Sequence, residues 1–124
     1  MSEAVVLDAN VILRYLLQDH ELSEQAEEIV NNNNLLLRTE VLCEVVYVLQ
    51  KVYLVERKKM AEILSRFMNL PRISTAEPAI ITEAVDLYGA SSLDFVDCIL
   101  IAVHKNEGME IATFDKKLMK RLDE

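Results

Sequence analysis

The stretch Ala4-Val5-Val6-Leu7-Asp8-Ala9-Asn10-Val11-Ile12-Leu13 contains the pattern from which the fold can be predicted. Its first four residues form a short, partly β-branched run that is typical of a buried strand. A helix is predicted to follow and to continue through Leu17, with Asn10 as its candidate N-cap. A carboxylate, Asp8, lies between the two elements. A strand that passes directly into a helix is the repeating unit of α/β proteins.

The same strand–helix unit recurs to the end of the chain. Strands are predicted at 4–7, 35–37, 72–74 and 110–114, and helices at 10–17, 23–30, 39–53, 56–68, 77–88, 94–106 and 116–122. The asparagines at 31–34 are expected to stop the second helix, Pro78 suits a first turn, and Gly89 and Gly108 suit helix ends. This alternation predicts one α/β domain spanning 1–124, a three-layer α/β/α sandwich with a short parallel sheet.

The composition narrows the class of protein further. Of 124 residues, 52% are apolar and only two each are Gly and Pro, which predicts a packed core and argues against a β-sandwich or barrel. No apolar run reaches the ~18 residues of a membrane span, and the N-terminus lacks the pattern of a secretory signal. Cys43 and Cys98 lack disulfide-framework spacing, so both are expected to be reduced thiols in a cytoplasmic protein.

The chain carries 13 basic and 21 acidic residues, a formal charge of −8. A chain this acidic lacks the broad basic face with which many proteins hold nucleic acids. Part of the acidity lies at four positions inside or beside apolar segments, which are Asp8, Glu44, Asp97 and Asp115. Burying an unpaired carboxylate costs several kcal/mol. The four positions therefore predict a shared divalent cation as compensation, Mg²⁺ or Mn²⁺ for a site made of oxygens.

The predicted elements indicate where these acids lie. Asp8 and Asp115 follow predicted strands, and ligands of open α/β sheets bind beyond the carboxyl ends of strands. Glu44 lies within the apolar stripe of the helix at 39–53, so it is expected to face inward. Asp97 lies in the first turn of a helix, where the helix dipole favours an anion. Four convergent carboxylates are the expected result.

Each acid also has a structural explanation that the sequence leaves open. Asp8 fits a turn after a strand, and Asp115 fits the N-cap of the last helix. Asp94 fits an N-cap with Asp97 three residues later, as in a capping box. Asp94 is therefore only a possible fifth metal ligand, whereas capping and metal binding are compatible for Asp97.

Four segments, taken in order, resemble the motifs of PIN-domain nucleases and most closely the VapC-type toxins of toxin–antitoxin pairs. They are Val6-Leu7-Asp8-Ala9-Asn10-Val11-Ile12-Leu13, Val41-Leu42-Cys43-Glu44-Val45-Val46-Tyr47-Val48-Leu49, Leu93-Asp94-Phe95-Val96-Asp97-Cys98-Ile99-Leu100-Ile101-Ala102 and Thr113-Phe114-Asp115. One such motif is weak, but four in order extend the resemblance along the whole chain. The segment from about 55 to 90 carries no diagnostic motif.

The resemblance implies a Mg²⁺- or Mn²⁺-dependent endoribonuclease that a cognate antitoxin holds inactive. It assigns catalysis and metal binding to Asp8, Glu44, Asp97 and Asp115, and supporting roles to Asn10 and Thr113. Hydrolysis is expected to leave 5′-phosphate and 3′-hydroxyl ends. The alternatives are an inactive PIN-like module that only binds RNA or protein and, less well matched, a phospho-accepting receiver domain. A haloacid-dehalogenase phosphatase would need D-x-D where the chain has D-x-N.

The remaining candidates are basic residues for RNA contact, two histidines and one helix for dimerisation. Arg14, one turn after Asn10, is the best single candidate for RNA contact. The basic runs at 57–59 and 116–121 are alternatives, although a solvated helix face explains them better than contact with RNA phosphates. His20 and His104 show no pattern of a side-chain nucleophile. The helix at 39–53 is apolar on most sides, so one side is expected to face the sheet and another a second copy in a homodimer.

Overall fold

A computed structural model describes residues 3–18 and 21–124 of the chain. In these residues, three strands and seven helices follow one another as β1 Val5–Val6, α1 Ala9–Leu17, α2 Ser23–Asn32, β2 Leu35–Leu37, α3 Thr39–Lys51, α4 Arg57–Met68, β3 Ile73–Thr75, α5 Pro78–Ala90, α6 Phe95–Glu107 and α7 Lys116–Leu122. The strands form one parallel sheet in the order β1-β2-β3, with Val5 opposite Leu35 and Leu35 opposite Ile73. The predicted α/β/α class with a short parallel sheet is confirmed.

Apolar helix faces close over this small sheet. Leu35 and Leu37 of the central strand are fully buried, and α5 packs against both α4 and α6. Gly89 is the penultimate residue of α5, one residue before the helix ends. A Cβ there would come 2.8 Å from Ala61 Cβ on α4, so the close packing of the two helices accounts for the glycine. Gly108 ends α6 in the left-handed region at φ 68°, as predicted. No helix in the described part of the chain is long and apolar enough to cross a membrane.

The prediction of a last strand at 110–114 was wrong. These residues form no strand, and Phe114 is fully exposed. Consequently β1 pairs only with β2 among the described strands, and its two valines are about half exposed, not buried as predicted. A two-residue strand offers few backbone hydrogen bonds to a neighbour, and the segment at 110–114 has few strongly apolar side chains to hold it against the sheet.

The buried face of α3 also differs from the prediction. Its buried residues are Leu42, Val45, Val46 and Leu49, at i, i+3, i+4 and i+7. Glu44 lies on the opposite side of the helix from this face and is exposed. The predicted apolar face, through Val41, Val45 and Val48, lay closer to Glu44 than the observed buried face does. The prediction failed because an almost uniformly apolar helix does not specify which of its sides is buried. The inward orientation expected for Glu44 was therefore wrong.

Two predicted helix ends need correction. Asp8, not Asn10, occupies the N-cap position of α1, and its side chain makes no capping hydrogen bond. Asn31 and Asn32 extend α2 by one half-turn before the chain leaves it at Asn33. The side-chain amides of Asn32 and Asn33 donate to the carbonyls of Glu28 and Ile29, four residues back. These bonds satisfy carbonyls at the helix end that would otherwise lack a partner.

Both cysteines are free thiols, as expected. Cys98 is fully buried on α6, and burial raises its pKa to about 11. Cys43 is half-buried on α3, and burial raises its pKa as well. Neither thiol therefore has the lowered pKa of a reactive cysteine.

Candidate functional site

Two of the predicted acids lie at the start of α6. Asp94 occupies the N-cap position, yet its side chain makes no capping hydrogen bond, so the capping-box explanation was wrong. Asp97 follows in the first turn and is half-buried. Between them Phe95, and after them Cys98, point into the core and fix the orientation of the helix. Burying one face of α6 leaves both carboxylates on its other sides.

Asp115 occupies the N-cap of α7 and does cap it. Its Oδ1 accepts a hydrogen bond of 2.9 Å from the Leu118 backbone N–H. The backbone N–H of Asp115 in turn donates to Thr113 Oγ1 at 3.0 Å. Thr113 thus orients the backbone that presents Asp115, which is compatible with the supporting role predicted for it. The capping alternative for Asp115 is confirmed, and it leaves room for a second role.

Asp94, Asp97 and Asp115 interact electrostatically, and we call them the Asp97 cluster. Burial raises the pKa of Asp97, and the charges of Asp115 and Asp94 raise it further. Lys117 acts in the opposite direction and lowers it. Two carboxylates close enough to disfavour the ionisation of Asp97 form with it a local excess of negative charge. Such an excess attracts cations.

Asp8 and Glu44 are not joined to this cluster in the structure. Both are exposed. No group of three or more His, Cys, Asp and Glu side chains among the described residues is placed to hold a metal ion. No charged side chain in the described ranges is fully buried, and of the four predicted acids only Asp97 is half-buried, so the expectation of four buried carboxylates was wrong. The five-residue metal site therefore remains a prediction, with three of its members brought near one another.

The loop 91–94, which leads into α6, is held by two cationic side chains. The Nη1 atom of Arg57 donates to the carbonyl oxygens of Leu93 at 2.7 Å, Ser91 at 3.1 Å and Tyr88 at 3.3 Å. The guanidinium also lies 4.2 Å from the centre of the Tyr88 ring. From the other side, the Lys117 ammonium donates to the Ser92 carbonyl at 3.3 Å and to Ser92 Oγ.

Arg57 therefore differs from its two basic neighbours. The sequence offered the run at 57–59 as an RNA contact or a solvated face, but the guanidinium of Arg57 is occupied by backbone carbonyls. Lys58 and Lys59 remain exposed. No sequence signal could have identified the partners of Arg57, since they lie 31 to 36 residues away and are backbone atoms.

A cavity of about 300 Å³ opens between α3 and α6 beside the cluster. It is lined by Cys43, Val46, Tyr47, Gln50, Lys51, Asp94, Phe95, Val96 and Asp97. Tyr47 is 62% exposed on this side of α3. The cavity thus joins two carboxylates of the Asp97 cluster to an exposed aromatic surface.

One acid at the sheet edge was missed. Glu77 lies two residues after the end of β3, and Thr39 lies two residues after the end of β2. The Oε1 atom of Glu77 accepts a hydrogen bond of 2.6 Å from Thr39 Oγ1. The rule that placed Asp8 at the carboxyl end of β1 applies equally to Glu77. Its position after a weakly predicted strand was the signal that could have found it.

The remaining candidates lie apart from the cluster. Asn10 and Arg14 line a separate cavity between α1 and α2, and RNA contact by Arg14 stays a prediction. His104 Nδ1 donates to the Met109 carbonyl at 2.8 Å, a bond that ties the end of α6 to the following segment. His20 lies outside the described residues.

The chain is similar to known proteins over nearly its whole length. The family model described as the PIN domain matches residues 5–124. The chain is similar to a protein named VapC ribonuclease from Aquifex aeolicus (strain VF5), with 27% identity over 121 residues that cover 93% of this chain and 90% of the relative. No solved structure was found to match. The family model spans all four acidic motifs, and the chain belongs to the PIN-domain family.

Proposed function

We propose that this protein is a divalent-cation-dependent endoribonuclease whose site is centred on the Asp97 cluster. The observation that carries the proposal is the electrostatic coupling of Asp94, Asp97 and Asp115 within a chain of the PIN family. The similarity to a protein named VapC ribonuclease supports RNA as the substrate. Family membership makes a phospho-accepting receiver domain the weaker explanation.

The donor set fits a hard divalent cation. The Asp97 cluster offers carboxylate oxygens and no sulfur or imidazole, which is the preference of Mg²⁺ and Mn²⁺. The raised pKa of Asp97 reflects burial and repulsion that a bound cation would offset. Asp97 and Asp115 would hold the ion, with Asp94 beside them and Asp8 and Glu44 completing the set once the side chains reorient. When bound, the cation would activate water for attack on a phosphodiester.

The chain's own residues would prepare this site in distinct ways. One carboxylate oxygen of Asp115 caps α7, which fixes the orientation of the carboxylate. The other oxygen remains for a ligand. Thr113 fixes the backbone of Asp115. Asp97, half-buried, holds a proton more readily than an exposed aspartate while the cation is absent. Arg57 fixes the loop that carries Asp94.

The proposal is tested by cleavage of a single-stranded RNA with fluorophore and quencher ends. Protein stripped with EDTA is expected to be inactive, and added Mg²⁺ or Mn²⁺ is expected to restore cleavage, because the carboxylates alone offer no nucleophile. Cleavage that persists in excess EDTA would overturn metal dependence. Absence of cleavage with either ion would favour the alternative of an inactive RNA- or protein-binding module. The lack of a preformed three-residue metal group within 3–18 and 21–124 also suits that alternative.

We also propose that the nuclease is the toxin of a toxin–antitoxin pair. The basis is the resemblance of all four motifs to VapC-type toxins, together with the name of the Aquifex relative. A cognate antitoxin would then suppress the cleavage described above. An adjacent reading frame whose product binds this chain and blocks cleavage would support the pairing, and a product that binds without inhibition would contradict it.

A homodimer is proposed through the exposed apolar surface at the end of α3. Val52 is 64% exposed and Leu54 is 81% exposed. Leu54 also has φ 54°, a left-handed conformation that is strained for a leucine. The exposure of two large apolar side chains is explained if a second copy covers them. Sedimentation at micromolar concentration should show a dimer that Leu54→Glu dissociates, and a monomeric wild type would contradict this interface.

A further inference from the structure

We propose that Lys117 holds the scissile phosphate of the RNA beside the Asp97 cluster, an inference that rests on the proposed nuclease function. Lys117 lies two residues after Asp115 in α7, and its ammonium donates to the carbonyl and the hydroxyl of Ser92. Ser92 precedes Asp94 by two residues. The lysine therefore bridges the two chain segments that carry the cluster.

The charge of Lys117 remains available for a ligand. Both of its hydrogen-bond acceptors belong to Ser92 and are neutral, and its side chain is exposed. No carboxylate oxygen among the described residues lies within 4.0 Å of its Nζ, unlike that of Lys105, which pairs with Glu83. Its positive charge nevertheless acts on Asp97. An ammonium bound only to neutral acceptors can exchange them for a phosphate oxygen, which is a stronger acceptor.

An anionic substrate needs such a group here. The chain carries a formal charge of −8, and the cluster itself repels a phosphodiester. Two other cations are engaged elsewhere, since Arg57 binds backbone carbonyls and Arg38 pairs with Glu40. Lys51 lines the cavity beside the cluster, but Lys117 is the cation whose charge acts on Asp97 and which bridges the two chain segments of the cluster.

The rival role is that of a tether, in which Lys117 only holds the loop 91–94 in place. The two roles predict opposite effects on cation binding. A phosphate-binding lysine repels the divalent ion, so its removal should leave the affinity for Mn²⁺ unchanged or higher. A tether supports the carboxylates, so its removal should lower the affinity for Mn²⁺.

The experiment compares Lys117→Ala and Lys117→Arg with Lys105→Ala, which removes an equal charge at the far end of α6. Binding of Mn²⁺ alone is measured by calorimetry, and binding of a short single-stranded RNA by fluorescence anisotropy over a range of salt. We expect Lys117→Ala to weaken RNA binding and to reduce the salt slope by about 1, with Mn²⁺ binding kept or tightened. Lys117→Arg should retain RNA binding, and Lys105→Ala should change neither measurement.

A further variant, Ser92→Ala, removes one acceptor of the tether and should leave RNA binding intact. The proposal is overturned by unchanged RNA binding in Lys117→Ala, by weakened Mn²⁺ binding in that variant, or by an equal loss of RNA binding in Ser92→Ala. Because RNA binding is read without cleavage, a wild type that binds RNA through Lys117 but never cleaves it would refute only the proposed nuclease activity.

Discussion

Asp97→Asn is expected to lower the rate of RNA cleavage at saturating Mg²⁺ by at least about 100-fold, because Asp97 is proposed as a ligand and loss of an outer-shell partner alone costs about 10–100-fold. Asn keeps the size of the side chain, so the apolar contacts of α6 through Phe95, Cys98 and Ile101 should persist. It removes the negative charge at the centre of the Asp97 cluster. Single-turnover cleavage measured against Mg²⁺ concentration gives the loss.

The same variant is expected to melt at a higher temperature than the wild type when no divalent ion is present. Burial and the charges of Asp115 and Asp94 raise the pKa of Asp97, so its ionised form destabilises the folded state above that pKa. The neutral amide removes this cost. The difference in melting temperature should shrink as the pH falls through the pKa of Asp97, where the wild type becomes protonated and loses the same repulsion.

Asp86→Asn is the matched control for both effects. Asp86 is an exposed carboxylate on α5 outside the cluster. Its variant should cleave RNA at the wild-type rate and should not gain stability. Near-normal cleavage by Asp97→Asn, or an equal loss in Asp86→Asn, would show that the Asp97 cluster is not the catalytic site.

Arg57→Met is expected to destabilise the protein by about 2–3 kcal/mol, because hydrogen bonds from a charged donor and a cation–π contact are lost together. For a domain of this size the melting temperature should fall by roughly 10 °C. Met retains most of the aliphatic length, so the effect reports the three carbonyls of Tyr88, Ser91 and Leu93 that lose their donor. Thermal unfolding followed by circular dichroism measures it.

Arg57→Lys and Lys58→Met separate charge from geometry in this experiment. Lysine keeps the charge but lacks the planar guanidinium that lies over Tyr88, so an intermediate loss is expected. Lys58 is exposed on the next position of α4, and its variant should unfold like the wild type. A wild-type melting temperature for Arg57→Met would contradict the role of Arg57 in fixing the loop before α6.

The order of elements could be predicted from the sequence because each signal was local. Leu35-Leu36-Leu37, Pro78 at the start of α5 and Gly108 at the end of α6 act within a few residues of themselves. Two predictions, the strand at 110–114 and the inward orientation of Glu44, required knowing which distant part of the protein each segment packs against. A pattern of apolar residues does not carry that information when the strand is short or the helix is apolar almost all round.

Part of the candidate site could also be predicted, because some of its residues belong to local sequence motifs. Asp97, Asp115 and Thr113 were identifiable from the motifs that resemble the family, and a hydrogen bond joins Thr113 to the backbone of Asp115. Arg57 was not identifiable, since its acceptors are backbone carbonyls of a distant loop. The contact of Lys117 with Ser92 likewise spans 25 residues and has no counterpart in sequence spacing.

We propose that the acids around Asp97 support hydrolysis of RNA by water with a divalent ion. The most direct test is the chemistry of the product ends when wild-type protein and Mg²⁺ cut an RNA, compared with the same RNA carrying one 2′-deoxy nucleotide at the cut. We expect 5′-phosphate and 3′-hydroxyl ends from both substrates, since the 2′-hydroxyl takes no part. A 2′,3′-cyclic phosphate end, with the 2′-deoxy substrate left intact, would contradict it.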